Sequence, residues 1–555
     1  MRNSIISVFF ILLFINCSKE PELNESLNEP EPIIETPAPT EEIIPTNIWW
    51  NDAVFYEIFV RSFSDSDGDG IGDLNGIINK LDYLNDGNPA TDTDLGVTAI
   101  WLMPIFPSPS YHGYDVTDYR AINPDYGTLE DFRNLVTQAH ARGIKIVIDF
   151  VANHTSDLHP WFAASSQNQN KRDWYVWESS HPNFNGPWGQ NVWHLRNSSY
   201  YYGIFWHGMP DLNFKNEEVT TEIKDVVRYW YEDLGVDGFR IDAVKHWIEE
   251  GNQQDNSPAT LAWWRDFYQY QKSINPSLMT VGEAWTSTQN IIPYSDNRLD
   301  YCFEFDLATS IINSINSESI DELRSKINQV TSNYKPFQYG TFLTNHDQNR
   351  VYNQLNKSTA KAKLAASILL SLPGIPYLYY GEEIGMEGIK PDEDIRRPMQ
   401  WSMSANAGFS TAAPWHDLNQ NYSEFNVANQ QADPNSLWRH YQKWISHRKT
   451  VSALTTGSYK GVGISINSVF PFMRINNVNQ ESVLILHNLS STNQNGLTIN
   501  VITSELDTGT YHLINVENNQ NMGTLNIGAT GGFVQELDAL NLGPQASILM
   551  RLEKQ

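Results

Sequence analysis

The sequence predicts an α/β fold: a (β/α)8 TIM barrel with a small domain inserted after its third strand and an antiparallel β-sandwich at its C-terminal end. Three observations lead there. Eight short β-rich apolar runs alternate with longer amphipathic stretches, a long Trp- and Asn-rich interruption follows the third run, and the helical pattern stops near residue 450. Strands of a parallel sheet are buried on both faces and read as near-continuous apolar runs, with helices filling the crossovers. The chain has 555 residues and 40% apolar content, ample for a large core and for more than one domain.

Taken in order, residues 1–16 carry one charge, Arg2, and the apolar run IISVFFILLFI. This run is too short to span a bilayer and reads as a secretory signal. Residues 17–46 are rich in Glu and Pro without hydrophobic periodicity, which predicts an extended tether rather than a packed element. The barrel is assigned to 47–154 and 213–450. Its strands are expected at 53–60, 97–105, 144–151, 236–243, 278–285, 301–308, 340–347 and 375–383, with helical patterns such as LEDFRNLVTQAHARG between them. A connection as long as 155–212 is usually a functional excursion, and it is assigned to the inserted domain. Short alternating runs separated by Asn, Gly and Ser turns (FPFMRI, SVLILHNL, LTINVI, TYHLINV, SILMRL) place the sandwich at 451–555. There are no internal repeats.

Composition narrows the partners. Acidic residues number 65 against 37 basic ones, a net charge of −28, which argues against a nucleic-acid partner because phosphate contacts need clustered Lys and Arg. Two cysteines, Cys17 and Cys302, exclude a disulfide framework and a Cys-based zinc site. Aromatic residues make up 12% of the chain; their rings stack on sugar faces but also fill cores.

Polar residues gather at the C-terminal ends of the expected strands, the face on which a barrel assembles chemistry. In GFRIDAVKH (238–246), Arg240 and Asp242 are two residues apart and project to one side of a strand. A carboxylate beside a guanidinium stays ionised and can act as a nucleophile, although a structural Arg–Asp pair inside the barrel would look the same. Glu283 in VGEAW lies near Trp285, and a carboxyl group in an apolar pocket retains a proton that it can deliver to a leaving group. TNHDQNR (344–350) adds His346, Asp347 and Arg350. Three carboxylates from three strands at one rim suit double-displacement glycoside chemistry, in which one attacks and another donates and later removes a proton.

The segments DFVANH, GFRIDAVKH, GEAW and FLTNHD resemble the four consensus segments of the α-amylase superfamily, glycoside hydrolase family 13, and occur in the same order. MPDLNF (209–214) resembles the family's fifth segment, in the MPDLN form of α-amylases intermediate between oligo-1,6-glucosidases and neopullulanases. The resemblance implies Asp242 as nucleophile, Glu283 as general acid and base, and Asp347 as stabiliser of the oxocarbenium-like transition state. It further implies that Arg240 holds Asp242 ionised and that His154 and His346 hydrogen-bond the reacting sugar. YHGYDVTDY (111–119) is similar to the segment whose tyrosine stacks under that sugar, implicating Tyr114 with His112 and Asp115. Arg350 resembles the arginine just after the last segment. Lys245 and His246 resemble the pair lining the reducing-side subsite of α-amylases, whereas DIRRPMQW (394–401) resembles a segment of the oligo-1,6-glucosidase branch. An endo-acting α-amylase on starch, maltodextrin or glycogen is the expectation; an oligo-1,6-glucosidase or neopullulanase-like hydrolase and a non-catalytic starch-binding protein are the alternatives.

SDSDGDGIGD (64–73) spaces Asp65, Asp67, Asp69 and Asp73 as in a calcium loop, with Gly70 at the sharp turn, but Gly76 stands where an EF-hand has its bidentate Glu. It resembles the calcium loop after the first strand of oligo-1,6-glucosidase-like enzymes, in which Ile71 would offer its carbonyl. Asn153, Asp211 and the His246 carbonyl match a second family site, so one or two Ca2+ ions are expected. Finally, FINC resembles a bacterial lipoprotein box with Cys17 as the lipidated residue, and Ser18-Lys19-Glu20 resembles the surface-export signal of Bacteroidota lipoproteins. That resemblance implies an outer-membrane lipoprotein at the cell surface, anchored in the membrane by lipid and partnered by other glycan-uptake proteins.

Overall fold

The computed structural model describes residues 48–538 and 540–555. The expected signal peptide, the Cys17 lipidation site and the 17–46 tether lie outside the described residues. Among those described, no helix is long and apolar enough to cross a membrane.

Eight parallel strands close a barrel: β1 (Phe55–Ile58), β2 (Ala99–Leu102), β3 (Lys145–Phe150), β7 (Gly238–Ile241), β8 (Met279–Gly282), β9 (Tyr301–Phe303), β10 (Tyr339–Thr341) and β11 (Ile375–Tyr379). Strands β4 (Trp177–Glu178), β5 (Trp193–Arg196) and β6 (Ser199–Tyr202) form a separate three-stranded antiparallel sheet between β3 and the helix Glu217–Glu232. Each expected barrel run overlaps one observed strand, with β10 beginning one residue before its run and stopping at Thr341, and the run 301–308 does not stay extended. Its strand stops at Phe303, and Phe305–Ser317 is helical because Phe305, Ala308, Ile311, Ile312 and Ile315 recur at helical spacing and are buried.

The two-residue period of the strands explains why the site lies where it does. Phe55, Ala99, Val147 and Met279 point into the barrel and, with Phe303 and Tyr377, fill it; Phe55 stacks on Tyr377 at 4.3 Å between ring centroids. Two residues further along β1, β2, β3 and β7 stand Glu57, Trp101, Asp149 and Arg240, with Glu57 in register with Trp101 and Asp149 with Arg240. An apolar plug thus sits directly beneath a polar rim at the C-terminal end.

Helices cover the outside. Leu129–Ala141 begins with a capping box, in which the Thr128 hydroxyl accepts from the Asp131 amide and the Asp131 carboxylate accepts from the Thr128 amide. Phe132, Leu135, Val136 and Ala139 form its buried stripe.

Past the barrel come β12 (Ser458–Gly461), β13 (Gly463–Ile464), β14 (Val469–Asn476), β15 (Glu481–Asn488), β16 (Leu497–Val501), β17 (Gly509–Asn515), β18 (Asn521–Ile527), β19 (Phe533–Leu537) and β20 (Ser547–Lys554). They form antiparallel sheets ordered β12-β14-β15-β20-β17-β18 and β13-β16-β19, whose facing residues share one core. Val469, Met473, Leu484 and Leu486 join that core. Phe470, Phe472, Val483 and Ile485 belong instead to the main core around the barrel. Burial on both faces is why FPFMRI reads as a continuous apolar run.

Candidate active site

A cleft of about 700 Å3 opens over the C-terminal ends of the barrel strands. Asp242, Glu283 and Asp347 all line it, as do His112, Tyr114, His154, Lys245 and His246. The carboxylates that strand spacing placed on one rim therefore meet in one cleft. Their organiser is Arg240, fully buried on β7. Its Nη1 lies 2.8 Å from Asp242 Oδ1 and 2.9 Å from Asp149 Oδ1, and its Nη2 lies 3.0 Å from Glu283 Oε2.

One guanidinium among three carboxylates cannot neutralise them all. Burial pushes Asp242 up to about 6, and Arg240 only partly counters it. Asp242 is therefore ionised above about pH 6, with desolvation and Asp149 raising it and the guanidinium opposing them. Glu283 is also raised by burial, against the pull of Arg240 and with the push of Asp242 and Asp347, which favours its holding a proton. Asp347 behaves oppositely. Burial would raise it, but His346 at 3.2 Å and Arg396 at 2.8 Å hold it well below the usual carboxylate range. Two acids poised to carry a proton and one kept charged are thus set by surroundings rather than by residue type.

Local backbone shape matters at one point. Ala243 adopts φ +53°, a left-handed conformation costing about 1–2 kcal/mol for a non-glycine residue, and its amide lies 3.4 Å from Glu283 Oε2. The bend turns the chain after Asp242 and points the Ala243 amide at the Glu283 carboxylate.

Tyr114 stacks on His346 at 5.6 Å, and its hydroxyl lies 2.7 Å from His346 Nε2 and donates to Asp149 Oδ2 at 3.0 Å. His154 Nε2 lies 3.0 Å from the Tyr114 carbonyl, and burial lowers the ring to about 4, so it is neutral near pH 7. The amides of Gly113 and Tyr114 fold over the Ser110 hydroxyl and the His112 ring. Lys245 Nζ donates to the Trp285 carbonyl at 3.0 Å, and His246 Nδ1 lies 2.9 Å from the Gln254 carbonyl.

Four expected substrate-binding residues do not line the cleft: Arg240 and His346 are fully buried beneath it, so the expectation that His346 hydrogen-bonds the sugar is corrected, and Arg350 and Asp115 lie elsewhere. Arg350 does not line the cleft: it donates to the Ile395 and Tyr380 carbonyls at 2.9 and 2.6 Å and packs on the rings of Tyr379 and Tyr380. The cation beside the third carboxylate is Arg396, from the DIRRPMQW segment, whose Nε also donates to the His346 carbonyl at 2.9 Å. Asp115 is buried behind the cleft wall, where it accepts from Ser108 at 2.6 Å and from Ser110. Three further acids belong to the site and carry no local signal of their own: Asp149 within DFVANH, Glu57 as one polar residue in an apolar run, and Asp392, which lines the cleft 3.4 Å from Arg396.

Two sets of oxygen donors suit a cation. Asp65, Asp67 and Asp73 bring carboxylate oxygens within 4.8 Å of one another. Gly70, at φ +94°, allows the turn; a Cβ there would meet the Ala413 carbonyl at 2.2 Å. Asp69 falls outside this tightest set; its Oδ1 accepts from the Ile71 amide at 2.7 Å. Between β3 and the inserted sheet, Asn153 Nδ2 donates to Asp211 Oδ2 at 3.2 Å, while Asn153 Oδ1 and Glu249 Oε1 are buried without hydrogen-bond partners. Burial, and then Glu249, push Asp211 well above the ordinary carboxylate value. Buried acceptors facing no donor are the pattern a bound cation relieves.

Residues 57–457 match the model of the α-amylase catalytic domain. The chain belongs to the α-amylase family. Alpha-amylase 3 of Dictyoglomus thermophilum is 43% identical over 450 residues, covering 80% of this chain and 85% of that protein. The trehalose-6-phosphate hydrolase of Bacillus subtilis is 34% identical over 523 residues, covering 80% of this chain and 90% of that one. The crystal structure of an α-amylase from H. orenii superposes with a TM-score of 0.75 at 39% identity, covering 90% of this chain and 99% of that one. As a member of the α-amylase family the chain is a glycoside hydrolase.

Proposed function

We propose that the protein is a retaining, endo-acting α-amylase that cleaves α-1,4 links of starch, maltodextrin or glycogen. Asp242 attacks the anomeric carbon while Glu283 gives its proton to the departing glycosidic oxygen, leaving a glycosyl ester on Asp242. Glu283, now a carboxylate, takes a proton from water, which attacks the same carbon and releases Asp242. Asp347 stabilises the positive charge that develops on the ring, Tyr114, His112 and His154 hold the sugar from the cleft wall, and His346, buried beneath, supports Asp347. The observation that carries this reading is the shared guanidinium: Asp242 and Glu283 both touch Arg240, and Asp347 opens into the same cleft.

Internal cleavage of long chains is supported by the cleft rim. Trp188, Trp206 and Trp285 are 58%, 44% and 47% exposed, and all three line the cleft. Large exposed aromatic faces are costly unless used, and here they flank the acids as platforms for glucosyl units on either side of the cut. Lys245 and His246 stand on the same wall. Incubation with amylose, pullulan, panose and isomaltose tests this. A mixture of malto-oligosaccharides from amylose is expected; release of glucose from isomaltose and panose with amylose untouched would make it a 1,6-glucosidase.

Two further readings belong with this one. Ca2+ is proposed at Asp65, Asp67, Asp69, Asp73 and the Ile71 carbonyl, and at Asn153, Asp211 and the His246 carbonyl; the clustered carboxylates and the unpartnered Asn153 oxygen support it. Attachment to the outer membrane through lipidated Cys17 is proposed from the N-terminal sequence. Labelling with an alkyne fatty acid is expected to mark the wild type and not Cys17→Ala.

A further inference from the structure

Directly beneath the cleft, two charged side chains meet out of reach of water. His346 is completely buried, Glu57 on β1 is 2% exposed, and His346 Nδ1 lies 2.5 Å from Glu57 Oε1. On its other edge, His346 Nε2 faces Asp347 Oδ2 at 3.2 Å and the Tyr114 hydroxyl at 2.7 Å. A chain of contacts thus runs from β1 through the imidazole to the carboxylate at the cleft.

A carboxylate is an expensive choice for this position. Glutamine would accept the same hydrogen bond from Nδ1–H without the cost of burying a charge. What glutamine cannot do is favour the imidazolium over the neutral ring. With Glu57 on one side and Asp347 on the other, the ring is pushed up to about 10 although burial alone would lower it. A cationic ring donates from both nitrogens, so Nε2–H is always available to Asp347.

We propose that Glu57 is a positioning residue of the reaction, acting through His346 to keep that ring cationic and Asp347 ionised and aimed into the cleft. This rests on the reading of Asp347 as the group that stabilises the transition state. Glu57 touches no substrate; its effect passes entirely through the imidazole.

The test is the pH dependence of Glu57→Gln in the full-length protein, with kcat and KM on a malto-oligosaccharide compared with wild type from pH 5 to 9. The groups facing His346 are Glu57 from β1, Trp101 from β2, Tyr114 from its loop, Asp149 from β3, Glu283 from beyond β8, and Asp347 with its partner Arg396. Only the first is altered. Near pH 5 the ring is protonated in both proteins, so the difference in kcat is expected to be small. With Asp347 as its one remaining carboxylate partner, the variant ring loses its proton at a lower pH than the wild-type ring, so towards pH 9 kcat is expected to fall at least tenfold below wild type with KM changed less than twofold. A wild-type-to-variant ratio that stays constant with pH would overturn the proposal, because a purely structural contact predicts that. Should Glu57→Gln fail to fold, Glu57→Gln with His346→Gln removes both charges and strands neither. Its kcat is expected to match His346→Gln alone, and a further loss would overturn the proposal. Asp347→Asn is measured in parallel: if it retains wild-type kcat, the reading of Asp347 itself fails, independently of Glu57.

Discussion

Asp242 illustrates how burial sets function at the scale of a single residue. A carboxyl raised from 3.8 to about 6 binds its proton more tightly in the folded chain than in the unfolded one, so its contribution to stability falls as pH rises from about 4 to about 6. Above pH 6 the folded protein carries the full cost of a buried anion, of order 1–3 kcal/mol. Asp242→Asn is therefore expected to unfold at a higher temperature than wild type at pH 7–8, to show little difference near pH 4, and to have lost its hydrolytic activity. Calorimetry at the two pH values checks the sign. Because the proposed mechanism needs the ionised form, kcat/KM is expected to fall as pH drops through about 6; a pH profile flat down to pH 4.5 would remove Asp242 from the nucleophile's role. Asp347 needs no such window, since His346 and Arg396 keep it charged. Arg396→Gln is expected to lower kcat by one to two orders of magnitude, a loss of about 1.4 kcal/mol per tenfold.

At the scale of elements, the loop after β1 and the inserted sheet carry separate predictions. The Asp65–Asp73 loop holds three carboxylates in contact distance with many of its own amides turned onto them, an arrangement whose mutual repulsion a divalent cation would offset. Addition of a chelator is expected to lower the unfolding temperature of the wild type, with Asp67→Asn already lowered and no longer responsive; indifference of the wild type would count against calcium at this loop. The inserted sheet contributes Trp188 and Trp206 from its connecting segments. Trp206→Ala is expected to raise KM for amylose several-fold more than for maltotriose, because a platform at the rim is used only by longer chains. Equal effects on both substrates would assign Trp206 to packing.

For the molecule as a whole, a buried arginine fastens the C-terminal sheets to the bottom of the barrel. Arg474 on β14 donates to the Gly457 carbonyl and across the junction to the Ser371 carbonyl, while Arg448, on the helix Leu437–Thr450, donates to the carbonyls of Leu370, Leu372 and Gly374 within the barrel domain, just before β11 begins. Arg474→Ala leaves its two acceptors buried without partners and is expected to cost about 2–4 kcal/mol. Since this junction is at the end of the barrel away from the cleft, KM and kcat below the melting temperature are expected to be unchanged; a loss of kcat at full folding would show coupling between the two ends.

What could be read from the chain alone was whatever depends on neighbours in sequence. Strand runs, the two-residue spacing that puts Arg240 and Asp242 on one side, and the turn chemistry around Gly70 are local, and they sufficed for the barrel, the three acids and the acidic loop. Contacts between positions far apart in the chain were another matter. Glu57 meets a histidine 289 positions away, and Arg396 reaches Asp347 across 49. Whether Arg350 or Arg396 serves the third carboxylate depends on where each backbone turns after its strand. Proton affinities are equally non-local: the same residue type is raised at 242 and 283 and lowered at 347, because each carboxyl responds to the summed field of charges gathered from different strands and to how much water burial removes. Order along the chain supplied the parts of the site. Only closure of the barrel decided which cation each acid faces.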